Sequence, residues 1–170
     1  KELQESRSGV KIQDSFKILE KEIIGRSQAM KELLSLVDRV SDKEISAFIM
    51  GEAATGKEMI ARRIHCRSNR RDRAFVTIDC STMNEAQLDR EMFGTEGQMG
   101  MLEVANFGTL FINSVEKMTS GVQNKLIQFI NNKMGIKAES TGFFKSDVRI
   151  ISASTKDLMD LVHEGKFREE

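Results

Sequence analysis

Proline, tryptophan and tyrosine are absent from this chain of 170 residues, and cysteine occurs only twice. Without proline, the turns must be made by Gly, Asn, Asp and Ser. The two thiols, Cys66 and Cys80, stand at no metal or redox spacing and read as reduced thiols in or near the core of a cytoplasmic protein. Net charge is missing too. The 26 basic and 26 acidic residues cancel, so no overall field draws the chain to nucleic acid or to a membrane surface. No apolar run is long enough to cross a bilayer, and no signal-peptide pattern opens the chain. What remains, with 39% hydrophobic residues, is enough sequence for one domain with a real core.

The most informative stretch is Gly51-Glu52-Ala53-Ala54-Thr55-Gly56-Lys57-Glu58, preceded by the apolar run 45–50. A strand, then G-x-x-x-x-G-K, then a helix is the pattern of a phosphate-binding loop. Its glycines let the backbone turn tightly and aim N–H groups inward at phosphate oxygens. Lys57 would reach the β- and γ-phosphates, and the N-terminus of the following helix favours negative charge. The hydroxyl residue that normally follows the lysine and ligates magnesium is missing, because Glu58 stands there. A chance Gly/Thr-rich turn is the alternative, but the amphipathic run 59–65 after the loop favours the phosphate reading. ATP or ADP is then the expected ligand, with magnesium held weakly or not at all and no residue assigned as a metal ligand.

Residues 1–20 are charged and weakly periodic, and read as a linker or tail from an upstream domain or as a disordered chain end. Ser27 is a candidate N-cap for a helix over 28–40, in which Met30, Leu33, Leu34, Val37 and Val40 share one face. The basic turn 67–73 has the charge to meet DNA phosphates but reads better as a solvated charge run. Strands are expected at 74–78, 108–112 and 148–154, and helices at 85–92, 122–131 and 156–163. Residues 93–100 read as a glycine-rich connection and 132–146 as a loop or hairpin. Strands alternating with helices predict a parallel α/β sheet over 21–170, with right-handed crossovers and the ligand at the carboxyl ends of the strands.

Beyond the loop, further marks are Ala61-Arg-Arg-Ile-His65, Phe75-Val-Thr-Ile-Asp-Cys80, Met92-Phe-Gly94, Leu102-Glu-Val-Ala105, Gly108-Thr-Leu-Phe111, Gln123-Asn-Lys-Leu126 and Arg149-Ile-Ile151. On these, the chain resembles the central AAA+ domain of sigma-54-dependent transcriptional activators, bacterial enhancer-binding proteins and response regulators, from Ile23 to Arg168. In that family Glu58 is the usual residue after the lysine. The resemblance implies a P-loop NTPase, the AAA+ α/β subdomain with a parallel sheet flanked by helices, truncated here before the last strand and the helical lid. It implies an ATP-hydrolysing ring that self-associates and remodels sigma-54 RNA polymerase, with DNA reached through a domain outside this chain and no membrane involved. Ile23, Ile24 and Gly25 would lie near the base, with simple core packing as their alternative role.

The sequence departs from the family where the chemistry belongs. The family's Walker B strand ends in Asp-Glu, to hold magnesium and polarise the attacking water; here Asn113 and Ser114 stand instead. Asn brings no negative charge, and Ser is too short and too weak a base. Glu116 is the nearest substitute carboxylate, but it lies beyond the expected strand end. The asparagine that pairs with the Walker B glutamate is Asp79, and the sensor asparagine is Thr155. The middle glycine of the phosphate loop is Ala54, which costs about 1 kcal/mol if that position needs a positive φ. Only Thr-Glu-Gly-Gln-Met-Gly-Met separates Gly94 from Leu102, too short for the sigma-54-contacting GAFTGA hairpin. Arg168 matches the first of two trans-acting arginines.

These departures predict a degenerate AAA+ domain of a bacterial transcriptional regulator, binding nucleotide weakly or not hydrolysing it, serving as a sensing or oligomerisation module and lacking the sigma-54-contacting loop. An active ATPase that remodels RNA polymerase is the first competing reading, marked by turnover. A nucleotide-free structural interaction domain is the second, marked by the lack of any ligand-induced thermal shift.

Overall fold

The computed structural model describes residues 10–13, 23, 25 and 27–169. The first helix, α1 (Gln28–Ser41), begins where Ser27, in an extended conformation, accepts a hydrogen bond from the Met30 N–H at 3.2 Å. Strand β2 (Ala47–Met50) leads through the phosphate loop into α2 (Lys57–Cys66). Strand β3 (Phe75–Asp79) runs into a 3-10 turn at Cys80–Thr82 and then α3 (Glu85–Phe93), which opens on a reciprocal cap between Asn84 and Gln87. A one-turn helix, α4 (Met101–Val104), precedes β4 (Thr109–Asn113). A second 3-10 turn at Val115–Lys117 leads to α5 (Ser120–Asn132). The hairpin β5 (Met134–Ile136) and β6 (Phe143–Lys145), then β7 (Arg149–Ser154) and α6 (Leu158–His163), complete the order.

Among the described residues the main sheet has the order β1-β3-β4-β7-β2, where β1 is Val10–Gln13. Strands β3, β4, β7 and β2 are mutually parallel, as the alternation of strands and helices predicts. β1 runs antiparallel to β3, with Val10 opposite Ile78 and Gln13 opposite Phe75. That strand falls inside the stretch read as a linker or tail. Four residues pairing with an edge more than sixty positions away leave no local signal that separates them from a charged lead-in. The rest of 1–20 lies outside the described residues.

Both faces of β3, β4 and β7 are buried, so their side chains feed two cores in alternation, whereas β2 at the edge leaves Phe48 and Met50 exposed. Phe75, Phe111, Ile151 and Ala153 pack on one side against Val37 of α1 and Ile60, Ala61 and Ile64 of α2. Val76, Ile78, Leu110, Ile112 and Ile150 pack on the other side against α3, α4 and α5, through Leu88, Met92, Leu102, Val122 and Phe129 among others. Each such aliphatic or aromatic side chain contributes about 1.5–3 kcal/mol by leaving water.

Two differences from the sequence reading have visible reasons. The last helix starts at Leu158 instead of 156, because Asp157 accepts from the Met159 N–H at 2.8 Å and caps it there. α4 was unforeseen. It is too short to show helical periodicity, and it is started by Glu103, whose Oε1 accepts from the Gly100 N–H at 3.1 Å.

Candidate functional site

The phosphate loop springs from the carboxyl ends of two adjacent parallel strands. The Gly51 N–H donates to the Ser154 carbonyl at the end of β7 (3.2 Å), which fixes where the loop begins. Gly56 caps α2 in the left-handed region (φ +87), where a side chain would be strained. Ala54 is there too, at φ +61. Its position does require a positive φ, so the methyl group stores about 1 kcal/mol. Ala54→Gly should therefore raise stability by a few tenths to about 1 kcal/mol, the gain being trimmed by the freer unfolded chain. Chemical denaturation with an unchanged slope is the check, and a loss of stability would contradict the strain.

Within the loop, Lys57 Nζ donates to the Gly51 carbonyl (2.8 Å) and the Glu52 carbonyl (2.6 Å). The Thr55 hydroxyl donates to the Glu52 carbonyl (2.8 Å). Residues 52–55 are exposed, and Gly51, Gly56, Lys57 and Glu58 are half-buried. The ammonium group thus lies across its own loop, with the turn's backbone open to a ligand. Glu58 is turned along α2, where its Oε1 accepts from Arg62 Nε (3.2 Å) and a terminal guanidinium nitrogen (2.5 Å). It is committed to the helix surface.

At the strand ends, Asp79 and Asn113 stand opposite each other across β3 and β4. Asn113 Nδ2 donates to Asp79 Oδ2 at 2.8 Å. Asp79 Oδ1 accepts from the Ser81 N–H (2.9 Å) and hydroxyl (2.7 Å). Burial alone would push the Asp79 pKa up, but the Ser81, Asn113 and Ser114 donors outweigh it and hold the carboxyl below its ordinary value. Ser114 takes a left-handed φ of +55 and starts the 3-10 turn. That turn carries Glu116 back to the end of β7, where Thr155 Oγ1 donates to Glu116 Oε1 at 2.8 Å. Burial again opposes ionisation, and the hydrogen bonds from Thr155 outweigh it, so the Glu116 pKa is lowered. Glu116 Oε2 is shielded from solvent and has no hydrogen-bond partner. Cys80 sits beside both acids; burial and the charges of Asp79 and Glu116 push its thiol up to about 12, so it stays protonated and inert.

The remaining expected residues scatter more widely. Ile23 is half-buried and packs against the core cluster of α1 and α2. A Cβ at Gly25 would sit 2.1 Å from Met30 Cγ, so glycine is required where the chain passes the first turn of α1. Ile24 lies outside the described residues. Arg168 is exposed, and its backbone N–H donates to Gln123 Oε1 at 3.1 Å. Gln123 is buried and also donates to the Met118 carbonyl at 2.7 Å, so it ties the segment bearing Arg168 to the start of α5. In the sequence Gln123 belongs to the mark 123–126 with no role assigned to it; its polar side chain on the inward face of α5 is the signal for one.

Between α3 and α4 the chain closes as a tight turn, with paired backbone hydrogen bonds of 3.1 Å between Thr95 and Gln98. Gly94 and Gly100 pack back to back there, and a Cβ on Gly94 would meet backbone atoms at 2.5 Å. The Ala138 N–H donates to the Gly94 carbonyl (2.7 Å), joining the turn to the β5–β6 hairpin.

Among the described residues no three His, Cys, Asp or Glu side chains gather as a metal site. A single orphaned carboxylate oxygen on Glu116 still suits magnesium, which often takes one or two carboxylates and fills its other positions with phosphate oxygens and water. No helix of the described residues is long and apolar enough to cross a membrane.

Residues 23–170 match the sigma-54 interaction domain family. The signal-transduction and transcriptional-control protein of Clostridium beijerinckii is 35% identical over 159 residues, covering 88% of this chain and 25% of that protein. The C4-dicarboxylate transport transcriptional regulatory protein DctD of Pseudomonas aeruginosa is 34% identical over 155 residues, covering 86% of this chain and 34% of its own length. Among solved structures, NtrX of Brucella abortus in complex with ATP superimposes with a TM-score of 0.85 at 36% identity, over 87% of this chain and 34% of that one. The chain spans between 25% and 55% of the length of the curated relatives it matches first.

Proposed function

Because the chain belongs to the family of sigma-54 interaction domains, we propose that it is the nucleotide-binding core of a bacterial transcriptional regulator in which hydrolysis has been lost while binding is kept. The observation that carries this reading is the contrast between the loop and the strand ends. The loop keeps its left-handed Gly56, its open backbone turn and Lys57 facing its own cradle. The end of β4, separated from the loop's strand by β7, offers Asn113, whose amide is tied to Asp79, and Ser114, which is no base. ATP and ADP are the ligands favoured by this chemistry, and NtrX, crystallised with each of them, supports the choice. The whole protein would use the bound nucleotide to sense or to oligomerise. It would not remodel sigma-54 polymerase through this domain, because the closed turn at 94–100 leaves no projecting loop for that contact. A bound magnesium ion would screen phosphate charge; the fixed carboxylates of the strand ends would otherwise repel a triphosphate.

Titrating the protein with ATP and ADP, while following melting temperature and phosphate release, tests the proposal. At nucleotide concentrations about 100-fold over Kd, stabilisation of about 2.7 kcal/mol is expected, a rise of roughly 5–10 °C, with phosphate release at background. Lys57→Ala should remove most of that rise. Steady turnover would restore the active-motor reading, and a melting temperature indifferent to nucleotide would leave a structural interaction domain.

A further inference from the structure

We infer that Glu116 is the cation-binding acid of this site, replacing a carboxylate at the end of β4 with one from the following 3-10 turn. The inference rests on nucleotide binding at the phosphate loop. Two hydrogen bonds, on consecutive residues, place the group. The Gly51 N–H, first in the loop, donates to the Ser154 carbonyl; the next residue, Thr155, donates its hydroxyl to Glu116 Oε1. The Glu116 carboxylate is therefore tethered to the end of β7, the strand that lies beside β2 and holds the first residue of the loop. A carboxylate with one oxygen anchored and the other shielded from solvent and unpaired keeps acceptor capacity that its neighbours do not use. A divalent cation carried by phosphate oxygens uses it.

Asp79, the other acid nearby, is already satisfied. Its Oδ1 accepts two hydrogen bonds from Ser81 and its Oδ2 one from Asn113. Using it for a cation would mean breaking these contacts. Glu116 Oε2 requires no such loss. One protein carboxylate with the rest of the shell from phosphate and water is a common way for magnesium to bind. Such a site needs no cluster of acids, in keeping with the absence of one among the described residues.

The test is calorimetric titration of ADP and ATP over a range of Mg2+ concentrations, with bound Mn2+ counted by electron paramagnetic resonance in the presence of ADP. The wild-type protein should bind nucleotide more tightly with Mg2+ and hold one Mn2+ per bound ADP. Glu116→Gln keeps the size of the side chain and its acceptor for Thr155, so folding should survive. Its Mn2+ affinity in the ADP complex should fall by about 10- to 100-fold, while metal-free nucleotide affinity stays level or rises as one repelling charge is removed. Glu116→Asp should fall between the two. Nucleotide binding by the wild type that ignores Mg2+, or a Glu116→Gln variant with undiminished Mn2+ affinity, overturns this assignment and leaves the proposed function standing. Absence of nucleotide binding with and without metal overturns both.

Discussion

Arg149→Met should destabilise the domain by about 2–4 kcal/mol, a drop of roughly 5–15 °C in melting temperature. Arg149 is 3% exposed, and its guanidinium donates to the carbonyls of Ser41 (2.8 Å), Val40 (2.8 Å) and Ile45 (3.2 Å). Val40 and Ser41 end α1, whose last carbonyls have no partners within the helix and carry the negative end of its dipole. The arginine therefore caps a helix from the neighbouring strand. Burial lowers its pKa, as expected for a cation with no carboxylate in direct contact. Methionine fills a similar volume and removes the cost of the buried charge, but it strips the arginine donor from the Ser41 and Ile45 carbonyls and leaves that of Val40 with only backbone N–H donors. The second effect is larger, because each unsatisfied group costs about 1–3 kcal/mol. Urea unfolding with an unchanged slope measures it. A midpoint within error of the wild type would mean that water satisfies those carbonyls and the cap is dispensable.

Acidification from pH 7 to pH 4.5 should cost about 2–3 kcal/mol, and His65→Gln should flatten that dependence. His65 is fully buried under α2, with Nδ1 2.9 Å from Thr109 Oγ1. Burial, opposed by a backbone hydrogen bond with Arg73 and assisted by the charges of Arg149 and Arg62, lowers its pKa from 6.5 to about 4. The unfolded chain therefore takes up a proton near pH 6.5 that the folded state refuses until about pH 4. Stability is full above the unfolded value and is lost as pH falls between the two. The acids Asp79, Glu116 and Asp147 act in a different window. Their lowered pKa values give stability above the ordinary carboxylate range that is lost only as pH falls through it. The loss between pH 6.5 and 4.5 is thus assigned to His65. Equal losses in the wild type and His65→Gln would assign it elsewhere.

Much of the fold was legible because its signals are local. Strands of five or six residues buried on both faces, each followed by a helix, announce a parallel sheet. The spacing of Gly51, Gly56 and Lys57 announces the loop before any contact is known. Ala54 could be suspected of strain from its place in the motif, and it does have a positive φ. The strand ends were legible as a list of residues, Asp79, Asn113, Ser114 and Thr155, but not as a network. Asn113 reaches Asp79 across 34 positions and Thr155 reaches Glu116 across 39. Glu116 looked misplaced because it follows the strand; the left-handed Ser114 and the 3-10 turn bring it back.

By itself, then, the sequence determined the order of elements, the phosphate loop and which residue types stand at the carboxyl edge of the sheet. These follow from periodicity and from backbone preferences that act over a few residues. The tertiary structure alone decided that Val10–Gln13 adds an edge strand, that Arg149 caps a helix more than a hundred residues earlier in the chain, and that Glu116 takes the bond from Thr155 and keeps one oxygen unpaired. Those outcomes depend on which strands become neighbours. That is set by how the two cores pack, and no window along the chain contains it.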